Sequence, residues 1–92
     1  MLDLDISRDA AKALRALPAK QARQVLGRIL ALQEQPEPHD SRVLKGKAAL
    51  WRRVDSGEYR IIYRIEDTLL KIDAIGPRND DRVYRDFERK VR

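Results

Sequence analysis

The sequence contains no cysteine. Disulfides, thiolate metal sites and a cysteine nucleophile are thereby excluded, and the absence fits a reducing compartment. No apolar run approaches the roughly 20 residues that a membrane span needs. The start, Met1-Leu2-Asp3-Leu4-Asp5, interrupts its apolar residues with acids at once, unlike a secretory leader. A cytoplasmic protein without membrane attachment is the expectation. The single histidine, His39, lies in a proline-flanked loop with no partner at catalytic or metal-ligand spacing, and reads as a surface residue. Neither a phosphate-binding glycine loop nor zinc spacing occurs, so no cofactor and no metal is expected. Repeats and low-complexity segments are missing as well.

What the chain does have is positive charge. Lysine and arginine number 20 against 15 acidic residues, a formal net charge of +5 with a pI near 9.9. Such a domain attracts polyanions if the charges share a face, and an acidic protein partner equally well. With 92 residues, 42% of them apolar and 38% charged, the chain reads as one globular domain spanning 1–92 with a single modest core. Any site must be built on its surface or at an edge.

Along the chain, Leu2, Leu4 and Ile6 alternate with Asp3 and Asp5, the period of a strand with one buried face. Ser7 can cap a helix whose apolar stripe is Ala10, Ala11 and Leu14, ending near Leu17. Pro18 opens a second helix, with Ala22, Val25, Leu26, Ile29, Leu30 and Gln33 at helical spacing and Gln24, Arg28 and Glu34 outside. A proline-rich loop covers 35–41. Arg42 and the basic segment Leu44-Lys45-Gly46-Lys47 follow, then strands at about 50–55, 58–66 and 69–76. Asp80 or Asp81 starts a last helix carrying Val83, Phe87 and Val91. The order is β-α-α-β-β-β-α: an α+β domain with a mostly antiparallel twisted sheet, a helical hairpin packed on one face, and a short C-terminal helix.

The stretch RRVDSGEYRIIYRIED, residues 52–67, raises the functional question, because it puts four arginines into a half-buried hairpin. With Ser56-Gly57 as the loop, Arg53 opposes Arg60, Arg52 opposes Ile61, and Leu50 opposes Tyr63. Tyr59, Ile61, Tyr63 and Ile65, with Leu50 and Val54, then form the face beneath the helices, and Arg52 snorkels past an edge. The other face carries Trp51, Arg53, Arg60, Ile62 and Arg64. An Asp67-Thr68 loop sets Lys71 opposite Arg64, Asp73 opposite Ile62 and Ile75 opposite Arg60. Like charges directly opposed are destabilising, and a phosphate held in arginine's planar fork would convert the repulsion into attraction. Local neutralisation by Asp55, Glu58 or Asp73 is the other reading, and the residues alone leave both open.

Taken together, Leu44-Lys45-Gly46, the hairpin ending Gly57-Glu58-Tyr59-Arg60-Ile61-Ile62-Tyr63, Ile75-Gly76-Pro77-Arg78-Asn79-Asp80 and Val83-Tyr84 resemble the RelE branch of the RelE/ParE toxin superfamily over nearly the whole chain. The resemblance implies a toxin of a bacterial type II toxin–antitoxin system. It further implies an endoribonuclease (an mRNA interferase) that cuts mRNA in the ribosomal A site, inhibits translation and is neutralised by a cognate acidic antitoxin. Free toxin is expected as a monomer and the complex as a hetero-oligomer, with operator DNA bound only by that complex. The ParE branch shares the fold and poisons DNA gyrase instead, which is the alternative.

By the same resemblance Arg60, Arg78 and Tyr84 are the catalytic positions. Lys45, Lys47, Arg53, Arg64, Lys71 and Trp51 are the candidates for binding RNA and its phosphates. Trp51 stands where a lysine is usual, which leaves the general base unassigned. RNA brings its own nucleophile, the 2′-hydroxyl, so the protein needs to align it, move its proton and neutralise the phosphorane. Arg60 and Arg78 suit the last task. The phenol of Tyr84 either loses its proton more readily beside arginines, or stays neutral and stacks a base. By spacing alone it would simply pack beside Phe87 and Val83.

Overall fold

The computed structural model describes residues 1–46, 49–79 and 87. Its elements follow local chemistry. Strand β1 (Asp3–Ile6) ends at Ser7, whose extended backbone and hydroxyl, accepting from the Ala10 N–H at 3.1 Å, start α1 (Arg8–Ala16). Leu17 and Pro18 are extended, and α2 (Ala19–Glu34) begins directly after the proline, which has no N–H to leave unsatisfied.

The chain then crosses the molecule. Strand β2 (Arg42–Val43) lies at the far edge, and β3 (Arg52–Ser56), β4 (Tyr59–Glu66) and β5 (Leu69–Pro77) return, giving the order β1-β5-β4-β3-β2. β1 runs parallel to β5, and the remaining neighbours are antiparallel. The α+β architecture is thus the expected one, with β2 added where the sequence suggested only irregular chain. Two residues carry too little periodicity to announce a strand. The expected C-terminal helix lies outside the described residues except for Phe87, which is helical.

Ala10 from α1 and Val25, Ile29 and Leu32 from α2 pack on Val54, Ile61, Tyr63, Leu70, Ile72 and Ile75 of the sheet. Each large aliphatic side chain buried there contributes roughly 1.5–3 kcal/mol. The helical stripe differs from the expected one: Leu26 and Leu30 are 39% and 51% exposed, and Leu32 is buried in their place. α2 meets the sheet through its Val25–Ile29–Leu32 edge, a rotation that periodicity does not specify. Leu50, expected on the core face, is 76% exposed in a turn before β3.

Tyr63 anchors the loop between α2 and β2. Its ring is fully buried, and its hydroxyl donates to the Pro36 carbonyl at 2.6 Å. Around it Arg28 pairs with Asp40, holding that carboxyl below its usual range, and Arg52 donates to the Ser41 hydroxyl through Nε and Nη2. Arg52 therefore does reach an edge, where it also approaches Glu37 at 3.4 Å.

Burial pushes the Tyr63 phenol above its ordinary value of 10.0. A raised folded-state pKa adds stability that is complete below pH 10 and is lost as pH rises through the folded value. Tyr63→Phe is expected to cost about 1 kcal/mol in urea unfolding at neutral pH. The gap to the parent should narrow as the medium is made more alkaline than pH 10.

Candidate functional site

The face of the sheet away from α1 and α2 is organised by one turn. Gly57 and Glu58 form the loop between β3 and β4, with Ser56 opposite Tyr59 and Gly57 at φ +58 in the first central position, where a tight hairpin needs a positive φ that glycine adopts most readily. The expected Ser56-Gly57 loop is therefore displaced by one residue. Each partner moves by two, so the faces survive and the neighbours change. Val54 opposes Ile61, Arg53 opposes Ile62, and Asp55 opposes Arg60. The anticipated Arg53/Arg60 repulsion is replaced by an ion pair, with Arg60 Nε 2.9 Å from Asp55 Oδ1.

A bulge does the rest. Tyr63 pairs with Ile72 and Ile62 with Ala74, leaving Asp73 unpaired in the ladder. Arg64 opposes Lys71 as expected, but Asp73 does not oppose Ile62 and Ile75 does not oppose Arg60. Ile75 opposes Ile61 and joins the core, while Gly76 lies beside Arg60. Asp73 accepts from the Trp51 indole N–H at 2.6 Å and sits 3.6 Å from Arg64 Nε.

Three of the seven expected cations are neutralised inside the chain. Arg60 is held by Asp55, Arg64 by Glu66 and Asp73, and Lys71 by Glu66. Partly exposed pairs of this kind are worth about 0–1 kcal/mol, so an incoming phosphate can compete for the arginines. Arg53, Lys45 and Arg78 have no carboxylate partner among the described residues. Arg53 faces Arg42 across β2 and stands diagonal to Arg60, about 7–8 Å away by sheet geometry. Arg78 follows β5 at the end where Arg60 lies, its N–H bonded to the Glu58 carbonyl at 2.9 Å.

Trp51 is half-buried, and the Arg64 guanidinium lies 5.2 Å from its ring centroid. Its ring also meets Phe87 edge-on in a second apolar cluster with Leu44, Ile62 and Ala74. Tyr84 and Lys47 lie outside the described residues, as do Asp80 and Asp81. Asp55 and Asp73 are the residues whose part sequence reasoning left open. The signal for Asp55 was the glycine requirement of the turn, whereas the bulge that places Asp73 has no local signature. Among the described residues no group of three His, Asp or Glu is placed to hold a metal ion, and no helix is long and apolar enough to cross a membrane.

A two-helix domain on an open, mostly antiparallel sheet with a basic outer face is the RelE toxin fold, and known structures agree. The chain is similar to a double arginine-to-alanine variant of the E. coli RelE toxin in the free state, with TM-score 0.80 and 19% identity over 99% of this chain and 98% of that one. It is also similar to the archaeal RelE–RelB complex of Pyrococcus horikoshii, with TM-score 0.72 and 31% identity over 84% and 94%. A RelBE toxin–antitoxin complex from Mycobacterium tuberculosis gives TM-score 0.74 and 24% identity over 84% and 98%. No curated protein sequence matches the chain. Residues 4–82 match the family model of the ParE toxin of type II toxin–antitoxin systems, parDE. The chain belongs to that family, within the RelE/ParE superfamily, and is a type II toxin.

Asp55→Asn removes the carboxylate from Arg60, so the folded protein should be retained more strongly on a phosphate-bearing cation exchanger and elute at higher salt than the parent. Arg60→Ala should leave the domain folded with a loss of about 1 kcal/mol or less. Tyr63→Ala, on the opposite face, should cost about 3–5 kcal/mol in the same denaturant titration.

Proposed function

We propose that this toxin is an mRNA endoribonuclease of the RelE kind, acting on the ribosome in the cytoplasm and neutralised by a cognate acidic antitoxin. The observation that carries the reading is the placement of Arg60 beside Gly76, two residues before Arg78, with Arg53 diagonal to Arg60 on the same face. Two residues of extended chain span about 7 Å, close to the spacing of neighbouring phosphates on a single strand. A phosphodiester laid along this end of the sheet can thus meet more than one guanidinium at once.

In the proposed reaction the RNA 2′-oxygen attacks the adjacent phosphorus. The new O2′–P bond forms as the P–O5′ bond breaks, leaving a 2′,3′-cyclic phosphate and a 5′-hydroxyl. Arg60 and Arg78 take the charge that develops on the non-bridging oxygens, where fixed donors contribute most. Arg60 reaches this state by exchanging Asp55 for phosphate, so Asp55 keeps the guanidinium oriented in the empty site. Arg53 and Lys45, with Lys47, hold flanking phosphates. Tyr84 accepts the 2′-hydroxyl proton or orients that hydroxyl while stacking a base. The RelB-bound RelE structures support an antitoxin partner, and the net charge of +5 favours an acidic one.

A second reading has its own support. The matching family model is that of the ParE toxin and stops at residue 82, before Tyr84. A ParE-like toxin would bind DNA gyrase through this surface without cutting RNA. Primer-extension mapping of mRNA in cells expressing the protein separates the two. The nuclease reading expects discrete cuts within translated reading frames, lowered about 100-fold or more by Arg78→Ala and by Tyr84→Phe. Intact mRNA with arrested supercoiling in a gyrase assay would establish the ParE-like activity instead.

A further inference from the structure

Helix α2 turns one side to the core and leaves the other without a partner. Val25, Ile29 and Leu32 are buried, while Arg23, Leu26, Gly27, Leu30, Ala31 and Glu34 on the opposite side are all exposed. Leu26 and Leu30 stand one turn apart and therefore form a continuous apolar stripe, where scattered single leucines would need no explanation. Arg23 and Glu34 close the stripe at its two ends. Neither has an ion-pair partner among the described residues. Three turns of helix, about 16 Å, keep them from reaching each other. Gly27 lies between the leucines, and a Cβ added there would meet nothing of the chain within 4 Å. Packing inside the chain therefore does not call for glycine at a helix position where alanine is more favourable.

The stripe is complementary to itself when a second copy runs antiparallel. Its two ends are symmetric about the midpoint between Arg28 and Ile29. A two-fold axis at that point sets Arg23 level with the partner's Glu34, and Glu34 level with the partner's Arg23. Along one side Leu26 then falls beside the partner's Leu30. Along the other, Gly27 falls beside the partner's Ala31, where the lack of large side chains lets the two backbones approach closely. A parallel copy would instead set like charges against each other at both ends.

We propose that the exposed face of α2 pairs antiparallel with the same face of a second copy of this chain, giving a two-fold dimer. The contact is a single helix long and falls below the roughly 1,200 Å² at which specific interfaces begin, so the dimer exchanges readily and is populated only at high micromolar concentration. It replaces, at such concentrations, the monomer that the resemblance implies for free toxin. Because α2 lies on the core side of the sheet, both basic faces stay open in the pair. The inference therefore holds whether the toxin cuts RNA or binds gyrase.

Charge reversal tests the pairing directly. In sedimentation equilibrium of the full chain, the weight-average mass should rise from one chain toward two between about 10 μM and about 1 mM. Arg23→Glu and Glu34→Arg, each alone, put like charges at both ends of the contact, since the axis repeats every change, and Kd should rise about tenfold or more. Mixed in equal amounts, the two variants should associate with parental affinity, because each end then joins an acid to a base. Leu30→Asp should weaken the parent about tenfold or more as well. All three positions are exposed, so circular dichroism and urea midpoints should stay parental and separate lost association from lost folding. A mixture that associates no better than its components overturns the proposal. So does a parent chain that is monomeric over the whole range, which would leave the stripe to a partner of another kind.

Discussion

The site depends on the hairpin turn at Gly57-Glu58. A tight antiparallel loop needs positive φ at its first central position, and glycine adopts it without a Cβ penalty. Placing Gly57 there, and not one position later, sets every pairing between β3 and β4. It brings Asp55 opposite Arg60 and leaves Arg53, two residues before Asp55 on β3, diagonal to Arg60. A carboxylate opposite the Arg60 guanidinium replaces a like-charge pair with an ion pair. One backbone conformation thereby decides whether the basic face is strained, inert or poised.

The second constraint is the bulge at Asp73. Regular alternation would send Ile72 and Ala74 to the core and Ile75 to the outer face. The extra residue lets Ile72 and Ile75 both enter the core while Asp73 turns outward to Trp51 and Arg64. Its backbone is fastened from behind, since the Ser7 hydroxyl donates to the Asp73 carbonyl and the Ser7 N–H to that of Ile72. The residue that caps α1 therefore also fixes the irregularity that shapes the opposite face. In a chain this short the two faces of one sheet share their supports, so core and site cannot be specified independently.

Charge on the outer face is consequently selective. Arg64 and Lys71 are tied to Glu66 and Asp73 and belong to the frame around Trp51. Arg53, Arg78 and Lys45 have no carboxylate partner among the described residues, and Arg60 is paired with Asp55. A net charge of +5 overstates how much of the sheet carries uncompensated positive charge and understates how localised that charge is. This pattern suits recognition of a few phosphates at one end of the sheet better than diffuse adhesion along its length.

The sequence by itself determined what is periodic or local. Alternation at Leu2, Leu4 and Ile6 and at Tyr59, Ile61 and Tyr63 told which faces are apolar; Ser7 and Pro18 set the helix boundaries; the glycine and arginine spacings revealed the family. Each of these works through a residue's own conformational preference or its immediate neighbours. The tertiary structure decided what depends on pairing between distant segments. It chose the edge of α2 that meets the sheet, so that Leu32 is buried and Leu30 is not. It also chose the turn centre that joins Asp55 to Arg60 and the bulge that aims Asp73 at Trp51. A shift of one residue in a turn or a strand costs little locally, and only the packing of both faces together selects among such shifts.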